Sequence, residues 1–325
     1  TWRAVHGLLM EHLAPVAPRM VVWDYWFRTE QPGDKKLAAG INALQRAGTP
    51  VVLASMEYDP SGEPMLSSAL VRELDDPPRH GGIVARDMVL RPGEFCVATR
   101  LAAGRTAPSI FLTALAALRH PEARVEADLL PGAKVIDLYY EVSPGAYLRG
   151  QDRIETTWTF TPDALEGADQ AACVRLEIQR PQKWAARTLP YEWALQADED
   201  ELRSRLAGRV LIIGNLRTAG TEAEVDRHPV KYGGEIVRDV PGCYLLADGV
   251  AGMIEQRFVR GFQGAAPYFP LILGLALFGC LAPIRAASRA SFDGDAARRG
   301  ATALLGAVSI GGLALTVSSH QQAVV

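Results

Sequence analysis

The sequence lacks the short motifs that identify most enzymes and nucleotide-binding proteins. It contains no Gly-x-Ser-x-Gly elbow, no His-Glu-x-x-His motif, no Gly-x-Gly-x-x-Gly fingerprint and no phosphate-binding loop that ends in Lys-Ser or Lys-Thr. No two of the six histidines have the i, i+4 spacing of a helical metal site. We therefore expect no catalytic residue, no metal site and no cofactor in this chain.

Cysteine is scarce, and the four cysteines are too far apart for a zinc-binding pattern. Cys96, Cys173 and Cys243 precede the uncharged carboxyl-terminal region, whereas Cys280 lies within it. A disulfide between two of the first three is possible, but their spacing assigns no pair.

The chain also lacks an excess of charge of either sign. Its 34 basic and 37 acidic residues give a formal net charge of -3, so we expect no nucleic-acid partner.

Charged residues are absent from two long stretches near the carboxyl end, residues 261–284 and 300–325. Each stretch can supply the roughly 17 to 25 apolar residues that a helix needs to cross a bilayer. The sequence thus predicts a transmembrane region over residues 263–325, with two spans at about 266–284 and 300–318. A pair of buried core helices is the alternative interpretation.

The loop between the two stretches, residues 285–299, is rich in arginine. Its arginines are Arg285, Arg289, Arg298 and Arg299. Because short arginine-rich loops lie on the cytoplasmic side of membrane proteins, residues 1–262 are expected in the periplasm or outside the cell. We therefore expect a multi-pass protein of the inner or plasma membrane, in contact with the lipid bilayer. The chain has no export signal of its own, so we expect native residues before Thr1 and after Val325.

Strand-like and helix-like segments alternate along residues 1–262. The strand-like run RMVVWDYWF is followed by a helix over residues 34–47, with Asp34 as its N-cap, and by the strand PVVLA. A strand, a helix and a strand in this order predict a parallel pair. We therefore predict an α/β fold with a mainly parallel central sheet flanked by helices, followed by transmembrane α-helices. Residues 143–190 are predicted to be irregular, and residues 215–242 to be a long polar connection.

Polar residues that follow the predicted strands form the candidate ligand-binding site. Asp24 comes after the first strand, Asn215 and Arg217 lie in a glycine-bounded loop after RVLIIG, and Asp226 follows in the same connection. Ligands of open α/β sheets bind in the crevice at the carboxyl ends of the strands, so we expect these side chains to bind a ligand. The alternatives are a cap or turn for Asp24, and a turn or an ion pair with Arg217 or Arg227 for Asp226.

A series of short motifs runs from Leu202 to Arg260. It comprises LAGRVLIIG, then Thr-Ala-Gly, VDRHPV, Val-Pro-Gly and a helix that ends LLADGVAGMIEQRFVR. This order resembles the carboxyl part of the type 2 CHASE domain, an extracellular sensor module associated with cyclases and kinases. The first two strands and their helix are compatible with the same family, so the resemblance covers most of residues 1–260. Cys243 and Leu246 depart from the family pattern, in which a small aliphatic residue and a histidine are common.

The resemblance implies the sensor, or input, region of a membrane signal-transduction receptor. Proteins of this family have an amino-terminal anchor, an exported sensor, three membrane helices and a cytoplasmic cyclase or kinase. We therefore expect an unknown extracytoplasmic ligand or stimulus, a homodimer and an effector outside this chain, which itself is not an enzyme. Two alternatives stay open: an exported, membrane-tethered enzyme with Asp24 and Asp226 as an acid/base pair, and a structural membrane protein.

Overall fold

The computed structural model of the protein describes residues 1–59, 64–83, 88–101, 106–119, 124–128, 135–143, 146–155, 157–159, 168–216 and 226–259. The helices in these ranges are α1 Trp2–Leu13, α2 Asp34–Arg46, α3 Ser68–Arg72, α4 Ile110–Arg119, α5 Pro181–Ala185, α6 Tyr191–Gln196, α7 Glu199–Leu206 and α8 Gly242–Ile254. The strands are β1 Met20–Trp23, β2 Val51–Ser55, β3 Arg79–Gly82, β4 Glu94–Leu101, β5 Thr106–Pro108, β6 Arg124–Asp128, β7 Val135–Ser143, β8 Ala146–Glu155, β9 Thr157–Thr159, β10 Ala168–Arg175, β11 Val210–Ile213, β12 Arg227–Tyr232 and β13 Glu235–Pro241.

The central sheet is parallel and has the strand order β11-β1-β2-β3. Every residue of β1 and β2 is buried, which fits the unbroken apolar character of strands that are covered on both faces. In the pairing of β1 with β11, Met20 lies opposite Val210 and Trp23 lies opposite Ile213. The carboxyl ends of these two strands therefore meet at one edge of the sheet.

Alternate residues of β1 face two different layers of the core. Val21 and Trp23 pack with apolar residues of α1, α2 and α7, whereas Met20 and Val22 pack with those of α4 and α8. Because side chains alternate across a strand, this division places the sheet between helices on both sides. The predicted α/β fold, with a parallel central sheet flanked by helices, is confirmed to this extent.

Helices α1 and α2 approach each other closely where two glycines meet. A Cβ atom at Gly7 would overlap the backbone of Lys36, and one at Gly40 would overlap the backbone of Gly7. Larger side chains at either position would hold the helices apart. The two glycines therefore set the short distance between α1 and α2.

A buried ion pair joins the start of α1 to the start of α2. The guanidinium of Arg3 donates a hydrogen bond to the Asp34 carboxylate, which also accepts one from Ser67 Oγ at 2.6 Å. The sequence predicted Asp34 as the N-cap of α2, but Gly33 holds that position with φ at 109°, and Asp34 begins the helix. The predicted N-cap was wrong by one residue, because the Asp34 carboxylate binds Arg3 and Ser67 and does not cap the helix.

Antiparallel pairing is more extensive than the sequence predicted. Strands β5, β4, β10 and β9 form one antiparallel sheet, β6, β7 and β8 form another, and β12 pairs with β13. Strands β8 to β10 fall within residues 143–190, which were predicted to be irregular. That prediction was wrong because β10 pairs with β4, far away in sequence, and local periodicity carries little trace of such pairing.

The predicted polar connection over residues 215–242 contains a hairpin in its second half. Strands β12 and β13 are joined at Gly233 and Gly234, and Gly233 has φ at 62°, a conformation that glycine adopts without strain. Val230 and Val240 bury their side chains in the core. The hairpin leads directly into α8, whose side chains are mostly buried.

The predicted boundary at residue 262, the two predicted spans and the loop 285–299 all lie outside the described residues. Among the residues that are described, no helix has both the length and the hydropathy needed to cross a bilayer. The membrane topology therefore stays a prediction from the sequence.

Candidate functional site

The carboxyl edge of the central sheet carries Asp24, which directly follows β1. Its backbone N–H donates a hydrogen bond of 2.8 Å to the carbonyl of Ile213, so the β1–β11 pairing continues one residue beyond the strand. Gly214 follows β11 at the same edge, and a Cβ atom there would come within 3.3 Å of the Asp24 carboxylate. A side chain at Gly214 would therefore crowd the Asp24 carboxylate.

Asp226 and His228 reach the same edge from the start of β12. His228 Nε2 lies 2.6 Å from Asp226 Oδ1, and the carbonyl of Asp226 accepts a hydrogen bond of 3.0 Å from the backbone N–H of Gly242. Residues two apart on an extended strand point to the same side, which brings the carboxylate and the imidazole together. Asp226 therefore contacts both β12 and the first residue of α8.

Cys243, the second residue of α8, completes the group. Its Sγ lies 3.7 Å from the carbonyl oxygen of Asn215, and its Cβ lies where a side chain at Gly214 would have to be placed. We call Asp24, Asp226, His228 and Cys243 the edge cluster. Its members come from three separate segments that converge at the sheet edge.

The charges of the edge cluster influence one another strongly. Burial and, to a smaller extent, the nearby Asp226 carboxylate raise the pKa of Asp24 to about 6, although His228 opposes the rise. The hydrogen bond that His228 donates to Asp226 raises the pKa of His228 despite partial burial, and the charges of the Asp226 and Asp24 carboxylates add to the effect. The edge cluster therefore favours the protonated forms of Asp24 and His228, because two carboxylates lie near a single imidazole.

Cys243 is a poor nucleophile in this environment. Burial, followed by the negative charges of Asp24 and Asp226, raises the pKa of its thiol to about 12. Since the thiolate is the reactive form of cysteine, the thiol is inert at neutral pH. Among the described residues, no group of three or more His, Cys, Asp or Glu side chains is arranged to hold a metal ion.

The structure brings together three of the four residues predicted to bind a ligand. Asp24, Asn215 and Asp226 all lie at the carboxyl edge of the central sheet, around the start of α8, whereas Arg217 lies outside the described residues. The alternative partner Arg227 instead donates hydrogen bonds to the carbonyls of Leu216 and Asp239. Whether these residues bind a ligand stays a prediction.

Sequence reasoning missed His228, and it considered Cys243 only as a possible disulfide partner and as a departure from the family pattern. The missed signal is the Asp226-Arg227-His228 triplet at the start of a strand, because its first and third side chains share one side. Cys243 could not be placed from sequence, since its contact with Asn215 depends on how α8 packs against β11.

A buried histidine, His6 of α1, is a second polar site in the described core. It is surrounded by the rings of Trp2, Trp23, Tyr25, Phe27 and Tyr191. Its Nδ1 lies 2.6 Å from the Tyr191 hydroxyl, and its ring centroid lies 4.6 Å from that of Trp23. Burial, reinforced by the charge of Arg3, lowers the pKa of His6 to about 4. A neutral imidazole packed among aromatic rings on this side of the sheet joins α1 and α6 to the core.

A ligand crevice at the carboxyl edge of a parallel sheet is a general property of open α/β folds and specifies no chemistry by itself. The resemblance to the type 2 CHASE domain accordingly stays a prediction. Comparisons with protein-family models, with curated proteins and with solved structures find no match to this chain.

Proposed function

We propose that residues 1–262 are the input region of a membrane signal-transduction receptor that binds a small extracytoplasmic ligand at the edge cluster. The observation that carries the proposal is the direct contact of the edge cluster with the first turn of α8. Asp226 accepts a hydrogen bond from the backbone of Gly242, and Cys243 contacts Asn215. A ligand that changes the charge or position of these groups acts directly on α8.

The charges of the edge cluster favour a ligand that is cationic or rich in hydrogen-bond donors. Two carboxylates face one imidazole, and the raised pKa of Asp24 means that its ionised form lacks sufficient compensation. A donor or a cation brought next to Asp24 supplies that compensation and stabilises the ionised carboxylate. An anionic ligand would add to the existing repulsion.

Further contacts fix α8 at its midpoint and just beyond its carboxyl end, where the backbone N–H of Arg257 binds the carbonyl of Gly252. Asp248, buried within the helix, accepts a hydrogen bond of 2.7 Å from the backbone N–H of Gln179 and pairs with Arg257 Nη2 at 3.2 Å. Fixed contacts at both ends favour movement of α8 as one body. In the sequence, the uncharged stretch that we predict to enter the membrane begins at Gly261, a few residues after α8 ends. We propose that displacement of α8 is passed along this short connection to the effector.

A thermal-shift screen of small organic cations and neutral polyols tests ligand binding at the edge cluster. We expect at least one compound to raise the melting temperature, as binding to the native state must. Asp24→Asn and Asp226→Asn should abolish that shift, and Asp75→Asn, at an exposed ion pair with Arg46, should retain it. A screen without any shift, or equal shifts in all three variants, would contradict a ligand site at the edge cluster.

Reporter fusions test the proposed location independently of the ligand. A reporter fused after Arg289 should report a cytoplasmic location. A reporter fused near Gly150 should report a location outside the cytoplasm. The opposite pattern would reject the proposed orientation.

Light scattering of the detergent-solubilised chain tests the proposed homodimer. A mass equal to that of one chain would contradict the dimer.

A membrane-tethered enzyme that uses Asp24 and Asp226 is the second candidate function. The observation in its favour is the pKa of Asp24, which at about 6 suits a group that exchanges protons near neutral pH. Hydrolytic turnover of a panel of ester, amide, glycoside and phosphoester substrates discriminates the two proposals. Turnover that Asp24→Asn and Asp226→Asn abolish would favour the enzyme, and ligand-induced stabilisation without turnover would favour the receptor.

A further inference from the structure

Two buried cysteines lie directly opposite each other on neighbouring antiparallel strands. Cys96 of β4 is the pairing partner of Cys173 of β10, and neither side chain is exposed to solvent. Their Sγ atoms lie 2.8 Å apart, although 77 positions separate the residues in the sequence. The pairing of β4 with β10 therefore brings together two thiols that the sequence could not associate.

The backbone geometry of this pair suits a covalent bond between the sulfur atoms. Residues directly opposite in an antiparallel pair have Cα atoms roughly 4.5 to 5.5 Å apart, within the range of about 4.4 to 6.8 Å that disulfides span. The two side chains already point to the same face of the sheet. Only a small change of side-chain torsion angles separates the observed contact from a bond.

We propose that Cys96 and Cys173 form a disulfide bond that links β4 to β10. The two S–H bonds break and one S–S bond forms, with loss of two protons and two electrons. A disulfide oxidant, either a small molecule such as oxidised glutathione or a protein disulfide, accepts them and is reduced to two thiols. Because both cysteines are buried in the native protein, the exchange takes place during folding, before β4 and β10 are covered.

The bond would fix the strand that leads into the segment that contacts α8. The chain leaves β10 at Arg175, and the next residues contact the segment around α8: Leu176 bridges Phe258, and the backbone of Gln179 binds Asp248. A crosslink at Cys173 prevents β10 from separating from β4 when α8 is displaced. This role is independent of the proposed ligand, since it follows from the strand pairing alone.

Counting thiols in the full chain tests the proposal. The protein is refolded with oxidised glutathione, denatured and alkylated with a maleimide, with and without prior reduction. We expect two alkylated cysteines without reduction and four after it, together with a linked pair of peptides that contain Cys96 and Cys173. Four alkylated cysteines without reduction, or a linked pair that contains Cys243, would overturn the assignment.

Variants distinguish a native crosslink from unspecific oxidation. Cys243→Ser should keep the linked peptides, whereas Cys96→Ala and Cys173→Ala should each lose them. Reduction should lower the melting temperature of the unsubstituted protein by roughly 5 to 10 °C and leave that of the double alanine variant unchanged. An equal effect of reduction on both proteins would also overturn the proposal. Ligand-induced shifts at the edge cluster are a separate measurement, so failure of the crosslink does not decide the receptor proposal.

Discussion

The carboxylate of Asp226 lies against Gly242, so closely that a Cβ atom at position 242 would overlap it. This contact joins the edge cluster to the start of α8. The position of the carboxylate, and not the backbone conformation, disfavours a side chain at position 242, because Gly242 lies in the first turn of α8 and has no positive φ. Any side chain here must displace Asp226, His228 or the helix itself.

Gly242→Ala should therefore disturb the edge cluster. Because the Asp226 side chain is 56% exposed and can rotate away from an added Cβ atom, we expect a loss of about 0.5 to 1.5 kcal/mol in the free energy of unfolding, measured by urea denaturation. The matched control is Gly234→Ala, where an added Cβ atom meets nothing within 4 Å and stability should change by less than about 0.5 kcal/mol. Equal stability of the two variants would show that Asp226 does not lie where the structure places it.

Asp24→Asn should stabilise the protein at neutral pH. The Asp24 pKa is about 6 in the folded protein and about 3.9 in the unfolded chain, so between these values the native state binds more protons. Stability therefore falls as pH rises from about 4 to 7, by on the order of 2 to 3 kcal/mol. Urea denaturation at pH 4.5 and pH 7.5 should show a smaller difference for Asp24→Asn than for the unsubstituted protein. Identical differences would contradict a raised pKa.

Asp226→Asn should lower the pKa of His228. The hydrogen bond that His228 donates to the Asp226 carboxylate is the main cause of the raised value, and the neutral amide of Asn stabilises the charged imidazole less than the carboxylate does. A raised histidine pKa contributes stability that is complete below about pH 6.5 and is lost as pH rises through the folded value, so the variant should lose stability in the acidic range. Titration of the imidazole signals by NMR measures the shift directly. His6, with its pKa near 4, serves as the internal control and should not move.

Arg3→Met should destabilise the protein strongly. It leaves the Asp34 carboxylate buried beside Ser67 without its cation, a change that typically costs about 3 to 5 kcal/mol. The control is Arg46→Met, whose ion pair with Asp75 is exposed, with 67% and 61% of the side chains accessible. There we expect a loss below about 1 kcal/mol, measured by the same denaturation assay. Losses of similar size would show that the Arg3 pair is open to solvent.

Local signals in the sequence were sufficient to predict the first half of the central sheet. The buried run before Asp24, the amphipathic segment that became α2 and the apolar run of β2 each carry their own periodicity, and their order implies a parallel pair. The helix that became α8 was predicted from its own local sequence in the same way. Asp24 and Asp226 were singled out because they follow the strand-forming runs, and the structure places both at the sheet edge.

The remaining elements depend on contacts between residues that are distant in sequence. The β4–β10 pair unites Cys96 with Cys173, and nothing near either residue indicates the other. The β12–β13 hairpin is an exception, since Gly233-Gly234 between two strand-like runs is a recognisable hairpin turn that was overlooked. His228 was missed together with the strand on which it lies.

The position of β11 beside β1 also governs when the protein can fold. One strand is near the amino end of the chain and the other follows more than half of the sequence, so a ribosome must complete Ile213 before the sheet can close. Until then, β1 exposes an unpaired apolar edge, the kind of surface that chaperones bind and that aggregates recruit. We therefore expect slow maturation after synthesis, in keeping with the long sequence separation of this pairing.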